Sequence, residues 1–320
     1  MSALTPVPPL QADLLANLER HAEHARGAYA PATEDALRSD TAIWTAFCAE
    51  RGFTPLPALP AAVAAFIDAM SETRAPATVR RYVSSIAVYH RAAGVTSPTQ
   101  DVAVKLALKR MHREKGRRQK QAAGLTRPLV DRMLAACPGT TIGYRNRALL
   151  SVAYDTLARR SELVALDIAD IEITDAGDGT ALIRRSKTDQ GGEGSMRYLA
   201  ADTIAHLTVW QQVASIETGA LFRSVRRGGS VGDRLRKYDV ARVFKRMARA
   251  AGVAESMVAD ISGHSSRVGA AQDMVAAGIE LPGVMQAGGW KTAAMVSRYA
   301  EHLTVRKGAA AKLASLQDRR

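Results

Sequence analysis

A chain of 320 residues, 47% hydrophobic and 23% charged, has the composition of an ordinary globular protein and the length for two domains. Its 44 Lys and Arg against 31 Asp and Glu give a formal charge of +13, which favours a polyanionic partner, nucleic acid ahead of a membrane surface. Apolar runs such as Pro60 to Ile67 fall short of the roughly 20 residues a membrane span needs, and the first residues lack the basic-then-apolar order of a secretory signal. Two cysteines, Cys48 and Cys137, form no C-x-x-C pair, so a structural zinc site or disulfide framework is not expected and a reducing cytoplasm is.

Residues 1–30 read as a proline-rich arm followed by a first helix. From Ser39 the pattern turns strongly helical: Ile43, Trp44, Phe47 and Cys48 share a face, Ser39 or Asp40 is placed to cap it, and Gly52 to end it. A second helix, near Ala61 to Glu72, follows the breakers Pro55, Pro57 and Pro60. A third starts around Thr78, with Val79, Val83, Ile86, Val88 and Tyr89 inside and Arg80 and Arg81 outside, and stops at Gly94. A fourth runs from about Asp101 to Lys115. Between Lys105 and Lys120 stand eight Lys or Arg and one Glu, a run that predicts a strap along a phosphate backbone. This first region predicts a helical domain ending at about residue 122.

The second region, 123–320, opens with helices at Arg127 to Ala136 and Gly143 to Leu157. Alternation then takes over, at Ile168, Ile171 and Ile173, at Ala181 to Arg185, and at Met196 to Leu199. Turns at Asp175 to Gly179 and Gln190 to Ser195 separate these runs, which predicts a small antiparallel sheet of about three strands within a helical domain. Helices are expected again from Thr203, Asp239, Val268, Leu281 and Thr292.

Three segments stand apart from this framework. One is T-L-A-R-R-S-E-L from Thr156, another R-R-S-K-T-D from Arg184 at a strand end. The third comprises S-G-H-S-S-R-V-G-A-A from Ser262, G-G-W ending at Trp290, and S-R-Y ending at Tyr299. Each alone reads as surface or core. Together they suit attack on a phosphodiester: planar guanidinium forks match the phosphate oxygens, and a phenol can attack once its proton is taken up. A lysine can protonate the poor 5′-oxygen leaving group. A covalent phosphotyrosine retains the diester energy, so no metal, ATP or other cofactor is expected. Neither a Gly-x-x-x-x-Gly-Lys-Ser/Thr loop nor a carboxylate cluster for magnesium occurs.

The run from Ser262, followed by M-Q-A-G-G-W from Met285, resembles the tyrosine recombinase (phage integrase) family, as do Tyr154 to Ile171 and the strand-end Ser-Lys-Thr. The resemblance covers the second region nearly end to end, and more weakly Thr78 to Gly94 and the basic connector. It implies a mainly α, two-domain C-shaped DNA clamp with a helical core-binding domain (1–122) and a catalytic domain (123–320). Arg159 and Arg267 would clamp the scissile phosphate, with Glu162 supporting them. Arg160 sits where relatives often carry an apolar residue, and Arg159 is chosen by its spacing to Glu162. Lys187 would be the general acid, and His264 would serve acid–base chemistry and phosphate binding. Trp290, at a position where many members have histidine, would hydrogen-bond a phosphate oxygen. Tyr299 would be the nucleophile. Expected DNA contacts are Arg80, Arg81, Lys109, Arg110, Arg117, Arg118 and Lys120, with Tyr238 and Arg242 from the second domain. The partners implied are double-stranded DNA with inverted-repeat sites and three further copies of the chain. That tetramer would be linked through a C-terminal helix carrying Ala309, Ala310, Leu313 and Leu316.

Overall fold

The computed structural model describes residues 9–118, 120–186, 189, 191–301 and 309–319. It divides into two compact units, Met1–Lys120 and Gln121–Arg320. The first holds helices α1 (Pro9–Ala25), α2 (Pro31–Arg51), α3 (Pro60–Thr73), α4 (Pro76–Ala92) and α5 (Val102–Lys115). Prolines open α2, α3 and α4, where a missing N–H is harmless and a fixed φ is already helical. Gly52, with φ 71°, ends α2. The core sets Trp44 edge-on to Phe66 at 5.2 Å, and the Trp44 indole N–H donates to the Pro55 carbonyl at 3.0 Å.

Ser39 and Asp40 do not cap α2. The helix has already begun at Pro31, and Asp40 lies inside it, 1% exposed. Its carboxylate accepts from Ser85 Oγ at 2.8 Å and faces the Arg81 guanidinium at 3.0 Å. A short polar side chain is a helix-start signal only when nothing upstream starts the helix first.

The second unit is built around α7 (Thr141–Asp155), whose Ala148, Leu149, Leu150, Val152 and Ala153 are all buried. Thr140 caps it by accepting from the Gly143 N–H at 3.3 Å. Helices α6 (Arg127–Ala135), α8 (Arg160–Ala165), α9 (Ala201–Ala214), α10 (Asp239–Ala250), α11 (Glu255–Asp260), α12 (Ser265–Ala276), α13 (Leu281–Gly288), α14 (Ala293–Tyr299) and α15 (Ala309–Leu316) complete the helical part. The antiparallel sheet β1 (Ile171–Ile173), β2 (Gly179–Ile183), β3 (Ser195–Leu199) pairs Ala181 with Arg197. A second hairpin, β4 (Arg223–Val225) and β5 (Val231–Arg234), adds two strands that periodicity does not reveal. They are too short to alternate legibly, and Gly228 and Gly229 turn between them at φ 93° and 88°.

Close approach fixes α12, which carries the third chemical segment. A Cβ at Gly269 would run into the Leu125 backbone, and the Leu125 N–H donates to the Ser265 carbonyl at 2.9 Å. Farther along, Asp273 accepts from the Tyr154 hydroxyl at 2.5 Å and the Arg127 N–H at 2.6 Å. Among the described residues no helix is long and apolar enough to cross a membrane.

Candidate active site

The site starts at a strained turn between α7 and α8. Thr156 Oγ1 donates back to the Val152 carbonyl at 2.6 Å, and Leu157 then adopts φ 51°. A leucine in the left-handed region costs on the order of 1–3 kcal/mol and persists only where its surroundings hold it there. Here they do, because the Leu157 side chain is fully buried with Val284, Trp290 and Val296. The turn also aims the Leu157 carbonyl at Arg267, which donates to it through Nη1.

Two residues later Arg159 occupies the N-cap of α8. Glu162, 8% exposed, accepts the Arg159 N–H at 2.8 Å and its Nη1 at 2.7 Å. One carboxylate therefore fixes both the helix start and the direction of the guanidinium. Arg160 goes elsewhere. It packs along Gly263 and lies 5.3 Å from the ring of Tyr238, which Lys237 also approaches at 5.2 Å.

His264 is the N-cap residue of α12, and Arg267 follows one turn on. Ser262 Oγ accepts the His264 N–H at 3.1 Å, and Ser265 Oγ accepts the Ser262 N–H at 2.9 Å, which locks this entry. Desolvation of the ring, then the guanidiniums of Arg267, Arg160 and Arg159, hold the His264 pKa below the usual imidazole value although the residue is exposed. A neutral imidazole can accept a proton.

Arg267 is 3% exposed. Burial, then the neighbouring Arg159, push its pKa down to about 10. Its Cζ lies 4.1 Å from the centre of the Trp290 ring, and its Nη2 is buried with no partner among the described residues. A guanidinium donor desolvated and left unbonded keeps unused hydrogen-bonding capacity.

Trp290 follows a glycine pair with two separate tasks. Gly289 turns left-handed at φ 60° to end α13, its N–H donating to the Gln286 carbonyl at 3.1 Å and that of Trp290 to Met285 at 2.9 Å. Gly288 makes room for the indole, since a Cβ there would fall within the Trp290 ring. Gly288→Ala is expected to destabilise the protein by about 1–3 kcal/mol, the usual cost of overpacking, read as a lower urea midpoint. Tyr299 ends α14, its ring 5.9 Å from Trp290 at 62°, and its carbonyl accepts from Gln272 Nε2 at 3.1 Å and Gln121 Nε2 at 3.3 Å.

Arg159, Asp189, Arg197, Trp290 and Lys291 line one cleft of about 320 Å³. Lys187 lies outside the described residues. Its sequence neighbours Ser186 and Asp189 pair through backbone hydrogen bonds of 3.3 and 3.2 Å. The Asp189 carboxylate also accepts from the N–H groups of Gly192, Glu193 and Gly194 at 2.9–3.2 Å, which organises the glycine-rich turn. Among the described residues no group of three or more His, Cys, Asp or Glu is placed to hold a metal ion.

Sequence reasoning overlooks Arg197, and it gives no role to Leu157 and Asp189 although both lie in the segments that stand apart. Arg197 alternates with the exposed Met196 and Tyr198, the mark of an inward position, but nothing in the sequence tells which helix it meets. Of the expected DNA contacts, Arg80, Lys109, Arg117, Arg118 and Lys120 are exposed in the first unit. Arg80 and Arg117 lie close enough to His112 that, after burial, they hold its pKa down. Arg81 pairs with Asp40 and lies over Tyr82 at 5.4 Å, and Arg110 pairs with Asp68 at 2.8 Å. Tyr238 is 61% exposed at the start of α10, where Arg242 pairs with Asp239.

The phage integrase family profile matches residues 124–306. The chain is 30% identical over 305 residues to recombinase cre of Escherichia phage P1, covering 90% of this chain and 89% of that protein. It is 28% identical over 282 residues to an integrase/recombinase xerD homologue of Selenomonas ruminantium, covering 84% and 82%. Its fold superposes on a lambda integrase tetramer bound to a Holliday junction with a TM-score of 0.60 at 18% identity, covering 92% of this chain and 81% of that one.

Proposed function

The chain belongs to the phage integrase family and is a site-specific tyrosine recombinase, and we propose that it cuts and rejoins DNA through a covalent 3′-phosphotyrosine link at Tyr299. One observation carries this reading. The buried, unbonded Nη2 of Arg267 shares a site with Trp290, whose ring meets both Arg267 and Tyr299.

In the cleavage step the Tyr299 oxygen bonds to phosphorus and the bond from phosphorus to the 5′ oxygen breaks. His264 takes the phenol proton and Lys187 supplies one to the departing oxygen. Arg267 and Arg159 take the charge that builds on the non-bridging oxygens, each such donor being worth about 3–4 kcal/mol. Rejoining reverses these steps with the 5′ hydroxyl of the exchanged strand. Because the diester bond energy stays in the phosphotyrosine, the cycle runs without metal or ATP.

The core-binding domain (1–122) and the catalytic domain (123–320) grip one half of an inverted-repeat site, with Arg80, Lys109 and Arg117 on the backbone or bases. Four copies join on two duplexes and pass through a four-way junction. The apolar residues of α15 support this assembly, since Leu313 and Leu316 are 53% and 84% exposed and await a neighbour.

Covalent capture tests the reading. Wild-type protein is mixed, in chelator and without ATP, with nicked duplexes of randomised sequence, quenched in detergent and digested. The expected product is DNA attached to the peptide containing Tyr299. Attachment at another residue moves the nucleophile, and selective binding with no adduct replaces recombination with a non-cleaving DNA-binding role.

A further inference from the structure

We propose that Arg197 is a positioning residue of the cleavage step. It ties β3 to the turn that launches Trp290 and so holds the nucleophile's packing partner in place. The proposal rests on the reading of Tyr299 as nucleophile.

Arg197 is not a surface arginine. From β3 it crosses to the end of α13, where its Nη1 donates to the carbonyls of Gln286 at 2.6 Å and Ala287 at 3.0 Å. Its Nη2 fills the space that a Cβ on Gly289 would need. These contacts bracket the left-handed turn at Gly289. The residue that emerges from the turn is Trp290, which stacks on Arg267 and meets Tyr299 edge-on. Both bonds leave Nη1 while Nη2 packs against Gly289, so the planar guanidinium is held at both nitrogens, which fixes a direction as well as a distance.

A helix cap alone would not explain the choice of a cation. The same guanidinium lines the cleft with Arg159, and burial lowers its pKa, with Glu162 opposing the shift and Arg159 adding to it by less. What requires a cation is the polarity of α13. A helix C-terminus carries about −0.5 of an elementary charge on its free carbonyls, and the end of α13 lies at the cleft that Arg159 also lines, which on the proposed function receives a phosphate. Arg197 occupies those carbonyls and reverses the sign of that wall. The surroundings also account for Gly289: a side chain there would displace Arg197 as well as strain the turn.

The test uses Arg197→Ala and Arg197→Lys in the full chain, on the duplex recovered by covalent capture. That duplex is prepared in two forms, one ordinary and one with sulfur at the bridging 5′ position, whose thiolate departs without a general acid. Arg197→Ala is expected to slow adduct formation about 100-fold on both forms, the cost of a misplacement of about 1 Å, with the Kd for the duplex unchanged. Arg197→Lys is expected to recover part of the rate, since it keeps the charge and can reach one carbonyl. In the free protein, amide exchange at Gly289 and Trp290 is expected to quicken in Arg197→Ala while the buried amides of α7 keep their protection.

A wild-type rate in Arg197→Ala overturns the proposal, as does a loss confined to Kd. A defect that disappears on the sulfur form also overturns it, because Arg197 would then act through the leaving-group proton. Unchanged exchange at Gly289 and Trp290 removes the mechanical link. Should Arg197→Ala fail to fold, the Arg197→Lys rate decides, a full wild-type rate on both forms counting against the guanidinium tie. If wild type forms no adduct at Tyr299, the nucleophile reading fails by itself, and the exchange result, which needs no DNA, still judges the tie from Arg197 to Trp290.

Discussion

Tyr299→Phe is expected to form no covalent DNA adduct, a loss of about 10⁴-fold or more, while binding the captured duplex as tightly as wild type. The substitution removes one oxygen and keeps the ring that packs edge-on against Trp290, so the expected change in stability is within about 0.5 kcal/mol. The competing phenols can be separated by their surroundings. Tyr154 donates its hydroxyl to Asp273 at 2.5 Å, and burial with that carboxylate raises its pKa well above the ordinary phenol value. Tyr198 is exposed beside Asp178, which raises its pKa as well. Both are held in the protonated form. Tyr238 is the serious rival, being 61% exposed with Arg160 and Lys237 over its ring at 5.3 and 5.2 Å. It lies, however, beside Arg160 and not beside the unbonded donor of Arg267. Tyr238→Phe is therefore expected to keep the adduct. An adduct lost in Tyr238→Phe and kept in Tyr299→Phe would move the chemistry to the start of α10.

How far the sequence reveals such a site depends on whether a residue's partners are local. Glu162 follows Arg159 by one helical turn, and Arg267 follows His264 likewise, so the pairing of function with spacing can be read directly. Gly288-Gly289-Trp290 is legible as a motif but not in its reasons, since the room Gly288 leaves becomes apparent only when the indole folds back over it. Leu157 is hidden for another reason: leucine is a poor left-handed residue, and only tertiary burial holds it there. Arg197 bonds to backbone carbonyls 89 and 90 residues away, and a carbonyl leaves no mark on a sequence. The same logic governs the fold. Prolines announce α2, α3 and α4 because their effect is local, whereas Asp40 reads as a cap because its partners, the buried Ser85 and the half-exposed Arg81, come from α4.

Arg267→Met is expected to lower the rate of adduct formation about 10²–10³-fold, as loss of a preorganised donor does, yet to shift the unfolding free energy by no more than about 1–2 kcal/mol. Removing a well-paired buried charge ordinarily costs about 3–5 kcal/mol because its partner is stranded. Among the described residues Arg267 has no carboxylate partner in a hydrogen bond to strand. Folding instead works against its charge: a pKa of about 10, well below the ordinary guanidinium value, corresponds to a penalty on the order of 3 kcal/mol. For a base with a lowered pKa that penalty is complete below pH about 10 and fades as pH rises toward the ordinary guanidinium value. Two losses oppose the relief. The Leu157 carbonyl loses its donor, worth about 1–3 kcal/mol if left bare, and Trp290 loses a stacked cation worth up to about 2 kcal/mol. Methionine fills the volume and offers sulfur to the indole, so relief and loss nearly cancel. Urea unfolding beside the capture assay measures both quantities on one variant. A loss of about 4 kcal/mol or more would make Arg267 a structural keystone whose activity defect follows from misfolding. Near-neutral stability with the rate gone would mean that the buried guanidinium is held at a cost to the fold, and a fold keeps such a group only for what it does when an anion arrives.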